Sequence, residues 1–227
     1  MLKIKSPYPY KELKRKSIDG KRLYENPYGD PVPSVTTILG ATQSAEKRAG
    51  LANWKKRVGD AEAQRIVTEA ANVGTVMHNI LEYWVKNEEY NPGNNIVHKQ
   101  AKQMAEVVKQ NVESDLDEVW GSEVNLCAAN LYAGTTDLVG VYKGHPTIMD
   151  FKQTNKPKKR EWIEDYFLQG AAYATAHNEM YNTTIDRIAI FMCSRNCEWQ
   201  LFECGPDEFS KWEIKWAQRL EKFYKLS

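Results

Sequence analysis

The stretch TIMDFKQTNKPKKR (147–160) sets Asp150 and Lys152 two residues apart at the end of an apolar run, then adds Lys156, Lys158, Lys159 and Arg160. On a strand, alternate residues share a face, so a carboxylate and an amine at this spacing lie side by side. A second carboxylate, Asp137, precedes them in GTTDLVGVYKG. A hairpin turning at Gly144–His145 pairs Lys143 with Pro146, sets Val139 opposite Asp150 and sets Asp137 opposite Lys152. Asp137, Asp150 and Lys152 then project from one face. A three-residue loop would send Asp137 to the other face unless a bulge corrects it. Two carboxylates this close repel each other, and a divalent cation holds both ionised. Oxygen donors of this kind suit Mg²⁺ or Mn²⁺. Taken alone, Asp-x-Lys is also what a surface ion pair at the head of a solvated loop looks like, so the neighbouring motifs must decide.

Two more pairs stand at helical spacing. His78 and Glu82 in GTVMHNILE lie four apart, on one face of a helix, with Gly74 allowing close backbone approach at its start. Gln169 and Tyr173 lie four apart in the helix after the basic loop. Each pair alone also fits ordinary helix packing.

The elements that must carry these groups follow from the change of period along the chain. Residues 1–33 are rich in Lys, Tyr, Pro and Gly, the segment 1–44 reads as turns around short extended pieces, and PSVTTIL (33–39) within it as a short strand or a helix start that Ser34 can cap. Residues 45–117 read as helices: one from Ala45 to about Arg65, a break at Asn72–Gly74, a second helix with Val76, Ile80, Leu81 and Trp84 on its apolar stripe, and a third over 97–117. Residues 118–227 turn to a period of two, with three strands broken near Ala129–Asn130 and at Gly144–Pro146, a helix over 161–180, a second hairpin and a closing amphipathic helix. The order predicts an α/β fold forming a single integrated domain.

Lys and Arg total 31 against 30 for Asp and Glu, a formal net charge of +1, so a uniformly basic surface is excluded and any nucleic-acid surface is local. No apolar run approaches the ~18 residues of a membrane span. The basic start MLKIKSPYPYKELKRKSIDGKR lacks the apolar stretch of a secretory signal. A cytoplasmic chain is expected, rather than a mitochondrial one, with no membrane partner. Cys127, Cys193, Cys197 and Cys204 include no Cys-x-x-Cys pair and read as free, mostly buried thiols.

The succession Gly74-x-x-x-His78, GTTD ending in Asp137, MDFK with Asp150 and Lys152, and QGAAY with Gln169 and Tyr173 resembles the RecB-like branch of the PD-(D/E)XK nuclease superfamily. Within it, the chain is most similar to the compact phage and mitochondrial-maintenance single-strand exonucleases, which also carry a segment like PSVTTIL. The likeness spans roughly residues 33–175. It implies a restriction-endonuclease-like core, with a mixed central sheet flanked by helices and an N-terminal helical segment over the active site. His78, Asp137, Asp150 and the Phe151 carbonyl would then be metal ligands, with Glu123 on the preceding strand either a further acidic ligand or a group supporting those that touch the metal. Lys152 would orient or activate the attacking water, Gln169 and Tyr173 would place the strand and the lysine, and Glu82 would support His78. Some relatives hold an iron–sulfur cluster on four cysteines; the spacing here departs from theirs, and no such cluster is expected.

The resemblance implies a Mg²⁺- or Mn²⁺-dependent DNA exonuclease acting at free ends of single strands, with replication or recombination proteins as candidate partners. A structure-specific or end-processing endonuclease of the same fold and a non-catalytic nucleic-acid-binding relative are the alternatives. Lys156, Lys158, Lys159 and Arg160 would meet backbone phosphates. Lys55 and Lys56 form a second basic candidate beside Trp54, a ring able to stack on a base. Ser34 and Thr36 of PSVTTIL complete the expected contacts.

Overall fold

The computed structural model describes residues 1–18 and 21–226. Strands β1 (Arg15–Ile18), β2 (Lys21–Asn26) and β3 (Gly29–Pro33) form a small antiparallel sheet where turns around extended pieces are expected. Ser34 then caps α1 (Val35–Ala41), its Oγ accepting the Thr37 N–H at 3.0 Å. Helices α2 (Ala45–Val58), α3 (Asp60–Val85) and α4 (Ile96–Val112) follow. The remainder comprises β4 (Leu116–Ala128), β5 (Tyr132–Tyr142), β6 (His145–Thr154), a short 3₁₀ turn at Arg160–Trp162, α5 (Glu164–Tyr181), β7 (Ile188–Ser194), β8 (Trp199–Cys204) and α6 (Pro206–Leu226).

The result is an α/β fold with a five-stranded mixed central sheet, in the order β4-β5-β6-β7-β8, consistent with a restriction-endonuclease-like core. All its neighbouring strands are antiparallel except β6 and β7, the pair that α5 connects. Helices α5 and α6 cover one side, where Val139, Ile148 and Ile190 share a core with Phe167, Ala171 and Trp212. Helices α3 and α4 cover the other, where Leu138, Met149 and Phe151 join Met77, Leu81 and Met104. Each such side chain contributes about 1.5–3 kcal/mol on burial, so the helices are fixed to the sheet from both sides. The buried cysteines fall in three separate apolar clusters: Cys127 beside Leu13 and Tyr24, Cys193 on the α3–α4 side and Cys204 on the α5–α6 side.

Three boundaries differ from expectation, the simplest being that the helix expected to reach 117 ends at Val112 and β4 begins at Leu116. The helix beginning at Ala45 stops at Val58 because Gly59, at φ 86°, turns the chain. In contrast, α3 runs unbroken through Asn72–Gly74. A glycine inside a helix costs only about 1 kcal/mol, and burial of Val73 and Met77 on either side of it offsets that. One continuous helix therefore carries His78.

The β5–β6 hairpin also turns one step earlier than expected. Tyr142 pairs with His145, leaving Lys143 (φ 50°) and Gly144 (φ 79°) as a two-residue turn, and Pro146 lies within β6. Positive φ at both turn positions matches the twist of a tight hairpin, and glycine adopts it without strain. Val139 consequently pairs with Ile148 and not with Asp150.

Candidate metal centre

The β5–β6 ladder ends at Leu138–Met149. Beyond that pair β5 stays with β4 and β6 stays with β7, so the sheet forks. Asp137 stands on one prong, and Asp150 and Lys152 stand on the other. They meet across the fork and not along a continuous ladder face, which corrects the expected pairing of Asp137 with Lys152. Ser34 bridges Ala133 on the β5 edge that β6 has left, so the segment before α1 is packed into the widening gap.

Three acidic residues converge on this fork. Leu138 pairs with Ser122 and Thr136 with Val124, which brackets Glu123 and Asp137 between matched positions. Glu123 holds φ 52°, the left-handed region that a non-glycine residue adopts only when its surroundings impose it. One donor atom each from His78, Glu123 and Asp137 lie within 4.8 Å of one another. His78 Nδ1 is 3.6 Å from Asp137 Oδ1, and the other carboxylate oxygen, Oδ2, accepts the Phe151 N–H at 2.8 Å. Asp150 is 4% exposed and forms an ion pair with the Lys152 ammonium. The ion pair is made by its Oδ2, so Lys152 holds the Asp150 carboxylate at the fork.

The charges are mutually stressed. Burial, followed by the nearby Asp137 and Glu82 carboxylates, pushes the Glu123 carboxyl up to about 7. Burial and Asp137 also raise Asp150, against the pull of Lys152. Asp137 goes the other way: burial would raise it, but His78, Lys152 and the Phe151 amide outweigh that and hold it below the usual carboxylate range. For His78, burial disfavours the charged ring, yet Asp137 more than compensates and its pKa is raised. Lys152 likewise overcomes burial through Asp150 and Asp137 and remains an ammonium. A cluster of oxygen donors with one imidazole and like charges in close contact fits a divalent cation.

Helix α5 lines the other side of Lys152. The Lys152 Nζ lies 5.0 Å from the centre of the Tyr166 ring. Sequence reasoning missed Tyr166, although Tyr166, Gln169 and Tyr173 share the spacing of one helix face. Tyr173 is buried, with its hydroxyl 3.4 Å from Gln169 Nε2. Its ring fits only because residue 134 is glycine: a Cβ there would stand 2.7 Å from the ring. That gives the first residue of GTTD a packing reason, three places before Asp137.

The remaining expected residues divide. Lys156 and Lys159 are exposed, while Lys158 is half-buried. Arg160 is committed to the fold, with its guanidinium 4.3 Å from the Phe167 ring centre and its Nη2 bonded to Glu208 at 2.5 Å and the Glu203 carbonyl at 3.0 Å. Lys55 and Lys56 are exposed on α2, which buries no side chain, and Trp54 is half-buried there. Ser34 is buried as a helix cap, whereas Thr36 is exposed beside it with its hydroxyl 3.1 Å from Ser34 Oγ. Glu82 pairs with Lys86, so its expected support of His78 is replaced by a salt bridge along the helix. The Phe151 ring is buried near Phe191, with His78 edge-on at 6.3 Å between centres. None of the described helices is long and apolar enough to cross a membrane.

No family model matches the chain, and no curated protein matches it. Among solved structures it is similar to a crystal structure of a candidate exonuclease from Eubacterium rectale, with 11% identity, a TM-score of 0.46, and coverage of 67% of this chain and 68% of that one.

Proposed function

We propose that the chain is a metal-dependent deoxyribonuclease that hydrolyses phosphodiester bonds from free ends of single-stranded DNA. The observation that carries this reading is the fork itself, where His78, Glu123 and Asp137 bring donor atoms within 4.8 Å of one another and Asp150, paired with Lys152, stands on the facing prong. Neither side of the sheet needs such a group for packing, and burying these charges without a task is costly. His78, Glu123, Asp137 and Asp150 would hold the cation, together with the carbonyl of Phe151. When bound, a divalent ion lowers the pKa of water and stabilises negative charge on phosphoryl oxygens.

The chain's own groups do the rest. Lys152, kept charged by Asp150 and fixed against Tyr166, offers N–H donors to a phosphoryl oxygen or to the attacking water. Tyr166 holds that amine in place, while Tyr173 and Gln169 wall the site from α5. Lys156 and Lys159 are exposed cations on the loop leaving β6, suited to backbone phosphates. The free-end requirement rests on the family resemblance, and α3 supports it by laying a continuous helix along the site with His78 directed at Asp137.

Digestion of end-labelled linear and circular single-stranded DNA with Mg²⁺, Mn²⁺ or EDTA tests the proposal, with Lys152→Ala as control. Loss of the linear strand alone, dependent on metal and on Lys152, is the expected result. Cutting of the circle would replace the exonuclease with an endonuclease of the same centre. Binding without cleavage would leave a nucleic-acid-binding protein.

A further inference from the structure

The approach to α5 carries an aromatic side chain that the metal centre does not use. Trp162 closes the 3₁₀ turn and is 57% exposed, while Ile163 and Phe167, which follow it, are buried. The apolar socket at this corner is already filled. Phe167 stacks on Trp212 with ring centres 4.9 Å apart, and the Arg160 guanidinium sits against the same ring. Trp162 is thus left on the surface, where its described neighbour is a cation: Lys159 Nζ, 5.5 Å from the ring centre.

The arrangement repeats one step along the chain. Tyr166, four residues on, has the Lys152 ammonium against its ring. Two aromatic rings, each with a lysine over it, therefore stand four residues apart at the start of α5, the second of them at Lys152. The loop that supplies Lys156 and Lys159 is held by its backbone. Gln200 accepts the Lys158 N–H at 2.7 Å and donates to the Lys158 carbonyl at 2.8 Å, and the Thr154 hydroxyl donates to the Lys156 carbonyl at 2.8 Å. The side chains of Lys156 and Lys159 have no ion-pair partner among the described residues.

Lysines on a fixed loop attract phosphates, but a duplex and a single strand both offer those. An exposed indole adds a contact that only an unpaired base can satisfy, since stacking needs an open face. We propose that Trp162 is a base-stacking residue that selects an unpaired strand, holding one of its bases while the backbone runs past Lys159 toward Lys152. This inference rests on the nuclease reading and names the feature that sets its preference for single strands. Trp162 is a positioning residue and does not touch the reacting atoms.

The test separates binding from turnover. Fluorescence anisotropy in EDTA follows the full chain as it binds labelled oligo(dT), an abasic strand of the same length and a blunt duplex. Trp162→Ala is expected to weaken oligo(dT) binding by about 5- to 150-fold, the range that one stacked base accounts for. Binding of the abasic strand and the duplex should change less than about 2-fold, because the phosphate contacts remain. Trp162→Phe should restore most of the oligo(dT) affinity, which a misfolded variant would not permit. Equal binding of oligo(dT) by the unaltered chain and Trp162→Ala would overturn the proposal. So would an equal loss on the abasic strand. If either occurred while metal-dependent cleavage persisted, stacking would fail alone; absence of DNA binding by the unaltered chain would overturn the functional reading as well.

Discussion

The Phe151 N–H donates to Asp137 Oδ2 at 2.8 Å just beyond the last backbone pair of β5 and β6, so a carboxylate takes over where the ladder stops. Asp137 thereby has two tasks: one oxygen terminates the sheet and the other faces His78. A buried amide left without an acceptor costs about 1–3 kcal/mol, so the fork depends on this side chain.

Substitution at 137 should separate those tasks. Asp137→Asn keeps an acceptor for Phe151 and removes a charge, so its unfolding free energy in EDTA should stay within about 1 kcal/mol of the unaltered chain. Asp137→Leu removes the acceptor and should cost about 1–3 kcal/mol. Both should weaken Mn²⁺ binding severely. Urea unfolding and Mn²⁺ titration give the two readouts, and equal stability of the two variants would refute a structural task for Asp137.

Glu123 should show the opposite balance. Its φ of 52° and its half-buried carboxyl beside Asp137 both work against folding when no cation is present. Glu123→Gly relieves the backbone strain and removes the repulsion, which should raise metal-free stability by about 1 kcal/mol or more. The same change should weaken Mn²⁺ binding. Thermal melts in EDTA, set beside calorimetric titration, make the comparison, and a destabilised variant would show that Glu123 is held there by packing alone.

Tyr166 is expected to act through Lys152. Removing the ring in Tyr166→Ala frees the ammonium to move, and a small misplacement of a charged donor can cost about 10²-fold in rate. Tyr166→Phe keeps the ring and should cost far less. Single-turnover cleavage at saturating DNA should show the fall in the chemical step with little change in DNA affinity. A fall confined to affinity would instead place Tyr166 on the strand path.

The comparison of sequence and structure turns on what a local pattern can encode. Alternation from residue 118 onward was enough to place three strands and to bring Asp137 and Asp150 to one region. The earlier turn at Lys143–Gly144 moved every partner along the hairpin, yet both carboxylates still reached the site, because the fork and not the register brings them together. A fork is a nonlocal feature: it depends on Ser34 taking the β5 edge and on α5 filling the gap with Tyr173 over Gly134. The strained backbone of Glu123 had no local signature, as no glycine or turn residue marks it. The partners of Arg160 were hidden for a similar reason. In sequence it belongs to a run of cations, but Phe167, Glu203 and Glu208 come to it from distant segments.

A last expectation concerns acid stability, away from the metal centre. His177 on α5 is 0% exposed, with Nε2 2.9 Å from the Tyr10 hydroxyl and Nδ1 2.8 Å from the Thr183 hydroxyl, inside a ring cluster with Tyr8 and Tyr181. Burial lowers its pKa from 6.5 to about 4. Above pH 6.5 both the folded and unfolded chains carry the neutral ring, and the contribution to stability is complete. As pH falls below that value the unfolded chain takes up a proton that the folded chain refuses, and stability declines until the folded ring also titrates near 4. The full loss is roughly 3 kcal/mol. Other groups titrate in the same range, so the informative quantity is the difference from His177→Gln, which keeps donors and acceptors without a titrating ring. The unaltered chain should lose about 2–3 kcal/mol more than the variant between neutral pH and the folded pKa. Parallel decline of the two in urea unfolding would mean that Tyr10 and Thr183 accept the charged ring, and that the N-terminal segment bearing Tyr8 and Tyr10 is not tied to the body through a neutral histidine.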